Sequence, residues 1–250
     1  MRIICINGWS ASAALLGGFE KYLRQNHEVI VLDHLYQYPP DEIRSQLDNL
    51  MKKDTVLMGW SLGGMLAVHY IQTSAVAFSS VRALILLQVT PCFMQKTGWS
   101  LGVRKEDFEV LQSLVEARKA TRLVRHFSHL MLAGTDDISE ESFRVKERYN
   151  VDSLPDWPIL STGLSVLKDL DLRDFLPSLS LPVLGIFGEN DVLIKPEVRQ
   201  YSSEHCPEFK GVSLPGMGHF PFGKHAETVA KCINDYLQTV TLMSLADDGY

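Results

Sequence analysis

The 250-residue sequence has no excess of positive charge, no long hydrophobic run and no clustered cysteines, and each absence removes a class of protein. With a formal net charge of −6, nucleic acid is not an expected partner, because phosphate recognition needs a basic surface; any basic patch must be local. The longest clear apolar run, Ala83-Leu84-Ile85-Leu86-Leu87, falls far short of the roughly 18 residues of a membrane span, so no membrane is expected as a partner. Asn7, Ser10 and Ser12 break the apolar start of the chain, which suits a strand and loop better than a secretory leader. Cys5, Cys92, Cys206 and Cys232 are scattered, with no Cys-x-x-Cys pair. Neither a zinc site nor a disulfide framework is expected; the thiols read as those of a reduced, cytoplasmic protein. No internal repeat is present.

What is there is an ordinary packed-domain composition, 46% hydrophobic and 22% charged, with length for one main fold and a secondary module. Short aliphatic and β-branched runs alternate with stretches of helical spacing, the pattern of parallel strands joined by helices. The candidate strands are Arg2–Ile6, Glu28–Leu32, Thr55–Met58, Arg82–Leu87, Val183–Phe187 and Lys210–Leu214. The gap between the fourth and fifth is far too long for one crossover helix, so residues 91–177 are expected to form an inserted helical lid. Residues 1–90 and 178–240 would then make the core, and 241–250 a frayed C-terminal tail.

Gly59-Trp60-Ser61-Leu62-Gly63 fits Gly-x-Ser-x-Gly, directly after a predicted strand and before the helix-like stretch Gly64–Gln72. A serine hydroxyl is a poor nucleophile, and this context presents it on a tight turn whose glycines avoid Cβ clashes. A base and an acid should follow, each in a loop after a later strand. Val183–Phe187 runs into Gly188-Glu189-Asn190-Asp191, which offers Asp191 and Glu189 as the acid. Lys210–Leu214 leads into Pro215-Gly216-Met217-Gly218-His219, whose glycines let the imidazole approach the serine; His225, the rival, reads as a surface residue opening the last helix. Ser61 would be the nucleophile and His219 the general base, oriented by the acid. The backbone N–H groups of Trp9 and Leu62 are the candidate oxyanion hole. Arg118, Lys119, Arg122 and Arg125 form a basic stretch with no acid between them. The spacing i, i+4, i+7 of the arginines would place them on one helix face, able to meet an anionic group or an acidic partner.

Along essentially its whole length the sequence resembles the α/β-hydrolase superfamily, and more closely the pimeloyl-[acyl-carrier protein] methyl ester esterases of biotin synthesis. Gly59-Trp60-Ser61-Leu62-Gly63-Gly64 is similar to that family's nucleophile segment, Pro91-Cys92-Phe93 to the segment leading into its lid, and Leu170-Asp171-Leu172-Arg173 to the return to the sheet. The resemblance implies an α/β-hydrolase fold, a mostly parallel sheet flanked by helices with a helical lid between strands four and five. It selects Asp191, at the end of Gly-x-x-Asp, over Glu189. It implies an acyl-carrier protein bearing a pimeloyl methyl ester as substrate and partner, held by Arg122 and Arg125 with Arg118 on the same stripe. Trp9, Trp60 and Phe127 would line the acyl pocket, and no metal or cofactor is implied. Two departures are visible: Asn7 stands where the fold usually has histidine, and the two strands that usually precede the oxyanion strand are expected to be absent. A general carboxylesterase or thioesterase, or a hydrolase-like binding protein with little turnover, would carry the same motifs.

Overall fold

The computed structural model describes residues 1–247, and side chains as far as Leu242. All six expected strands form: β1 (Arg2–Ile6), β2 (Glu28–Leu32), β3 (Thr55–Trp60), β4 (Val81–Leu87), β5 (Val183–Gly188) and β6 (Phe209–Leu214). They make one parallel sheet in the order β2-β1-β3-β4-β5-β6. The central strands are apolar at nearly every position because both sheet faces are covered; every residue of β3 and β5 is buried.

The helices are α1 (Ala13–Leu16), α2 (Glu20–Arg24), α3 (Pro40–Leu50), α4 (Leu62–Thr73), α5 (Ala75–Ser80), α6 (Lys105–Glu116), α7 (Ala120–Leu132), α8 (Ile138–Arg148), α9 (Trp157–Asp169), α10 (Glu197–His205) and α11 (Ala226–Asp247). Helix α4 packs on β1, β3 and β4 with α3 beside it, whereas α11 packs on β4, β5 and α2. The segment expected as a tail from Thr241 is helical as far as Asp247, since α11 does not stop at the predicted boundary; residues 248–250 lie outside the described residues.

Helices α6 to α9 form an insertion between β4 and β5. Its two ends meet at its base, where Cys92 and Asp171 form an antiparallel bridge and Leu172 N–H donates to the Pro91 carbonyl at 2.8 Å. Arg173 clasps Asp171 through two bonds of 2.8 and 2.7 Å. That guanidinium, by hydrogen bonding to the carboxylate, holds the Asp171 pKa down to about 2.

One expectation fails here. Arg118 does not share a helix face with Arg122 and Arg125: α6 ends at Glu116, α7 begins at Ala120, and Arg118 lies between them at φ 51°. The bonds Arg118 N–H to Val115 O and Lys119 N–H to Leu114 O, at 3.0 and 2.9 Å, close α6 in a left-handed C-terminal turn that glycine usually occupies.

Candidate active site

The sheet register brings the carboxyl ends of five strands to one rim. Ile6 pairs with Gly59, Trp60 with Leu87, and Gly188 with Leu214. The next residues on these strands therefore lie side by side: Asn7-Gly8-Trp9 after β1, Ser61 after β3, Gln88 after β4, the Asp191 loop after β5 and the His219 loop after β6.

Ser61 sits at φ 53° and ψ −122°, a backbone conformation that L-residues rarely adopt. The strain persists because its surroundings fix it: Ser61 N–H donates to Leu87 O at 2.9 Å, and its carbonyl accepts from Gly64 N–H at 3.0 Å as α4 begins. A Cβ on Gly63 would strike the Ile6 and Asn7 carbonyls, so glycine is what lets the end of β1 lie against the serine turn. Among the described residues neither the Trp9 nor the Leu62 N–H has an intramolecular acceptor. Asn7, where the resemblance led us to expect histidine, ties the loop to Asp33: its side-chain Nδ2 donates to Asp33 Oδ1 at 2.6 Å, and Asp33 Oδ2 accepts Ala13 N–H at 3.0 Å.

The acid and the base meet. His219 Nδ1 and Asp191 Oδ2 are 2.8 Å apart, with His219 1% and Asp191 5% exposed. The other carboxylate oxygen, Oδ1, accepts the N–H groups of Leu193 and Ile194 at 2.8 and 3.0 Å, which fixes the acid's orientation. Glu189, the competing acid, is exposed. His225 is half-buried just before α11, with its Nε2 3.2 Å from Gly216 O, so it braces the histidine loop where a surface residue was expected. Ser61 Oγ has no hydrogen-bond partner among the described residues, and Ser61 is half-buried.

Three distant side chains hold the histidine loop, a function the sequence did not reveal. Trp60 Nε1–H donates to His219 O at 3.0 Å, Thr135 Oγ1 accepts Gly218 N–H at 3.2 Å, and Gln88 Nε2–H donates to Gly218 O. Trp60 is buried among His219, Phe220 and Phe222. Trp9 and Phe127 do come together, edge to face at 5.0 Å, and the indole of Trp9 donates to Leu160 O at 2.9 Å. The one sequence signal at Gln88 is a polar residue directly after the apolar run Ala83-Leu84-Ile85-Leu86-Leu87.

Helix α7 separates two clefts. One, about 430 Å³, is lined by Phe93, Phe108, His126, His129, Val192 and Leu193 and so reaches the Asp191 loop. The other, about 410 Å³, includes Arg125, His129, Lys146 and Tyr149; the Tyr149 hydroxyl lies 2.8 Å from Ser10 Oγ on the oxyanion loop. Burial lowers the His126 pKa, and neighbouring His129 lowers it further. Arg122 and Arg125 are exposed and, among the described residues, make no ion pair. Among the described residues no three His, Cys, Asp or Glu side chains converge as a metal site would require.

A parallel sheet with a serine at a strained turn after β3, an acid after β5 and a histidine after β6 is the construction of an α/β hydrolase. The sequence pattern described as "Alpha/beta hydrolase family" matches residues 3–231, and the chain belongs to that family. Within it, the chain is similar to proteins named pimeloyl-[acyl-carrier protein] methyl ester esterase. The one from Yersinia enterocolitica is 30% identical over 189 residues, covering 74% of this chain and 70% of the relative. The one from Aliivibrio fischeri is 27% identical over 245 residues, covering 94% and 93%. Among solved structures, a bromoperoxidase from Bacillus anthracis superposes with a TM-score of 0.83 at 20% identity, covering 95% of this chain and 91% of that one. An esterase from Exiguobacterium antarcticum gives 0.83 at 20% identity, covering 95% and 92%.

Proposed function

We propose that this protein is a serine carboxylesterase that hydrolyses the methyl ester of a pimeloyl chain carried on an acyl-carrier protein, freeing the carboxylate for biotin precursor synthesis in the cytoplasm. The observation that carries the esterase reading is the buried 2.8 Å pair of His219 and Asp191 on the same rim as the strained turn of Ser61. The substrate reading rests on the similarity to the esterases named above.

In the proposed cycle Ser61 Oγ attacks the ester carbonyl as His219 Nε2 takes its proton; Asp191 on Nδ1 holds the tautomer that makes this possible. The N–H groups of Trp9 and Leu62 receive the negative oxygen of the tetrahedral intermediate. Its collapse breaks the bond to the methoxy group, which leaves as methanol with the proton from His219. Water, deprotonated by His219, then attacks the acyl-enzyme, and the serine recovers its proton as the acid is released. Trp9 and Phe127 form an aromatic wall for the acyl chain. Trp60, assigned by resemblance to the same wall, serves the histidine loop. Helices α6 to α9 act as the lid, and on its outer face the unpaired Arg122 and Arg125 offer charge to an acidic carrier surface, with Arg118 adding charge from the preceding turn.

Turnover of pimeloyl-carrier methyl ester and of a short nitrophenyl ester, measured side by side, tests both parts. Ser61→Ala is expected to abolish both by roughly 10⁴-fold or more, leaving the circular dichroism spectrum unchanged. Retained turnover would remove the serine mechanism. Arg122→Glu is expected to weaken use of the carrier substrate about tenfold or more and to leave the small ester unaffected; equal losses on both would remove the carrier surface.

A further inference from the structure

We propose that Gln88 is a positioning residue: from the end of β4 it locks the acid loop and the histidine loop in one register and thereby sets the hydrogen bond between Asp191 and His219. The proposal rests on the triad reading above.

The Gln88 side chain is fully buried, and both ends of its amide are used. Oε1 accepts the Gly188 N–H at 2.8 Å, and Nε2–H donates to the Gly218 carbonyl. Gly188 is the last residue of β5, on the approach to Asp191. Gly218 is the residue before His219. One planar amide therefore spans from the strand that delivers the acid to the peptide that delivers the base, accepting at one atom and donating at the other. The two loops lie too close for any side chain between them at this level: a Cβ on Gly188 would strike the Met217 and Gly218 carbonyls. Backbone bonds join the loops further along, from Glu189 N–H to Leu214 O at 3.1 Å and from Asn190 N–H to Met217 O at 3.2 Å. These leave the Gly188 N–H and the Gly218 carbonyl to Gln88.

The backbone at Gln88 is built for the task. Its φ of 53° is left-handed, which few residues other than glycine and asparagine adopt readily. Its own N–H continues the sheet by donating to Ile186 O at 2.9 Å, so the residue is tied to β5 by main chain as well as by side chain. A site that needed only a turn here would favour glycine; a site that needed only packing would favour an apolar residue, since a buried amide without partners is costly. The strained backbone and the amide bonded at both its oxygen and its nitrogen together point to geometry as the property served.

Gln88→Met and Gln88→Glu test the proposal on the short nitrophenyl ester, with active sites counted by fluorophosphonate labelling so that rates refer to folded, competent enzyme. Methionine keeps the volume and removes both bonds. Expected for Gln88→Met is a fall in kcat per labelled site of roughly 10- to 100-fold with little change in KM, as for a small displacement of reacting groups. A weakened Asp191 bond stabilises the imidazolium less, so the acidic limb of the pH–rate profile should move to lower pH. Gln88→Glu carries its own rescue: a buried carboxyl favours its neutral form, which accepts and donates as the amide does. Its kcat should exceed that of Gln88→Met at low pH, and the advantage should vanish as the introduced carboxyl ionises and repels the Gly218 carbonyl. A Gln88→Met enzyme with wild-type kcat per labelled site and an unmoved acidic limb would overturn the proposal, as would a Gln88→Glu enzyme no better than Gln88→Met at any pH. These outcomes are separable from failure of the triad reading, which Ser61→Ala alone decides.

Discussion

The turn that carries Ser61 and the loop that carries His219 are held in different ways. At the serine, position comes from the main chain and from missing side chains: Ser61 is fixed by bonds to Leu87 and Gly64, and Gly63 lies against the carbonyls of Ile6 and Asn7. At the histidine, main-chain bonds from Asn190 and Asp136 to the loop are joined by side chains on other elements, Trp60 from β3, Gln88 from β4 and Thr135 from the turn between α7 and α8. The first arrangement tolerates no added atom. The second depends on particular hydrogen-bonding groups and should degrade in steps as they are removed. The insertion also contributes directly to the second and not to the first, since Thr135 belongs to it, as do Gly134 and Asp136, which bond to Asn190 and Gly216.

The comparison breaks first at Gly63. Gly63→Ala is expected to reduce kcat by roughly 10²- to 10³-fold, as for loss of an oxyanion donor, because relieving the clash moves Trp9 N–H and Leu62 N–H apart. The overpacking should also lower stability by about 1–3 kcal/mol. Kinetics and denaturant melts of the variant check both; near-wild-type kcat would mean that the turn is not limited by main-chain contact.

A smaller, graded effect is expected on the histidine side. Trp60→Phe keeps a ring against Phe220 and Phe222 but removes the donor to His219 O, and a net hydrogen bond of about 1 kcal/mol corresponds to a loss of roughly fivefold in kcat. Steady-state rates per labelled site measure it. A loss as large as that of Gly63→Ala would erase the distinction between the two regions.

The smallest effect belongs to the base of the insertion, which touches neither group. The Asp171 carboxyl has a folded-state pKa of about 2, below its ordinary value near 3.8, so its stabilisation is complete above the ordinary value and is lost as pH falls toward 2. Asp171→Asn should therefore lower Tm at neutral pH, with the difference from wild type closing between pH 4 and 2. Differential scanning calorimetry across that range is the check; a difference independent of pH would assign the loss to packing instead of charge.

This contrast also explains what the sequence made legible. The six strands, the Ser61 turn, Asp191 and His219 are written locally, in apolar runs that end in glycine-bearing loops. The supports of the histidine loop are not, because Gln88 and Thr135 reach Gly218 from 130 and 83 residues away. A glutamine after an apolar strand looks like any strand ending until its two partners are placed. Arg118 shows the converse: its helical spacing with Arg122 and Arg125 was a true regularity of the sequence, but a left-handed turn closed without glycine ended the helix inside it. The last helix outran its predicted end because no proline interrupts Ala226–Asp247, and the Thr241 hydroxyl turns back to donate to Leu237 O at 2.8 Å without leaving the helix.

The bridge between Cys92 and Asp171 also bears on how such enzymes diversify. Because the insertion leaves and rejoins the core through one small clasp, it is a cassette whose two cut points are already neighbours. Recombination that exchanged everything between them would deliver a new substrate-facing surface while leaving the serine turn and the sheet as they were. The price of such an exchange would fall on the His219 loop, which would have to find another Thr135, and on the oxyanion loop, whose Trp9 and Ser10 bond to Leu160 and Tyr149 of the insertion.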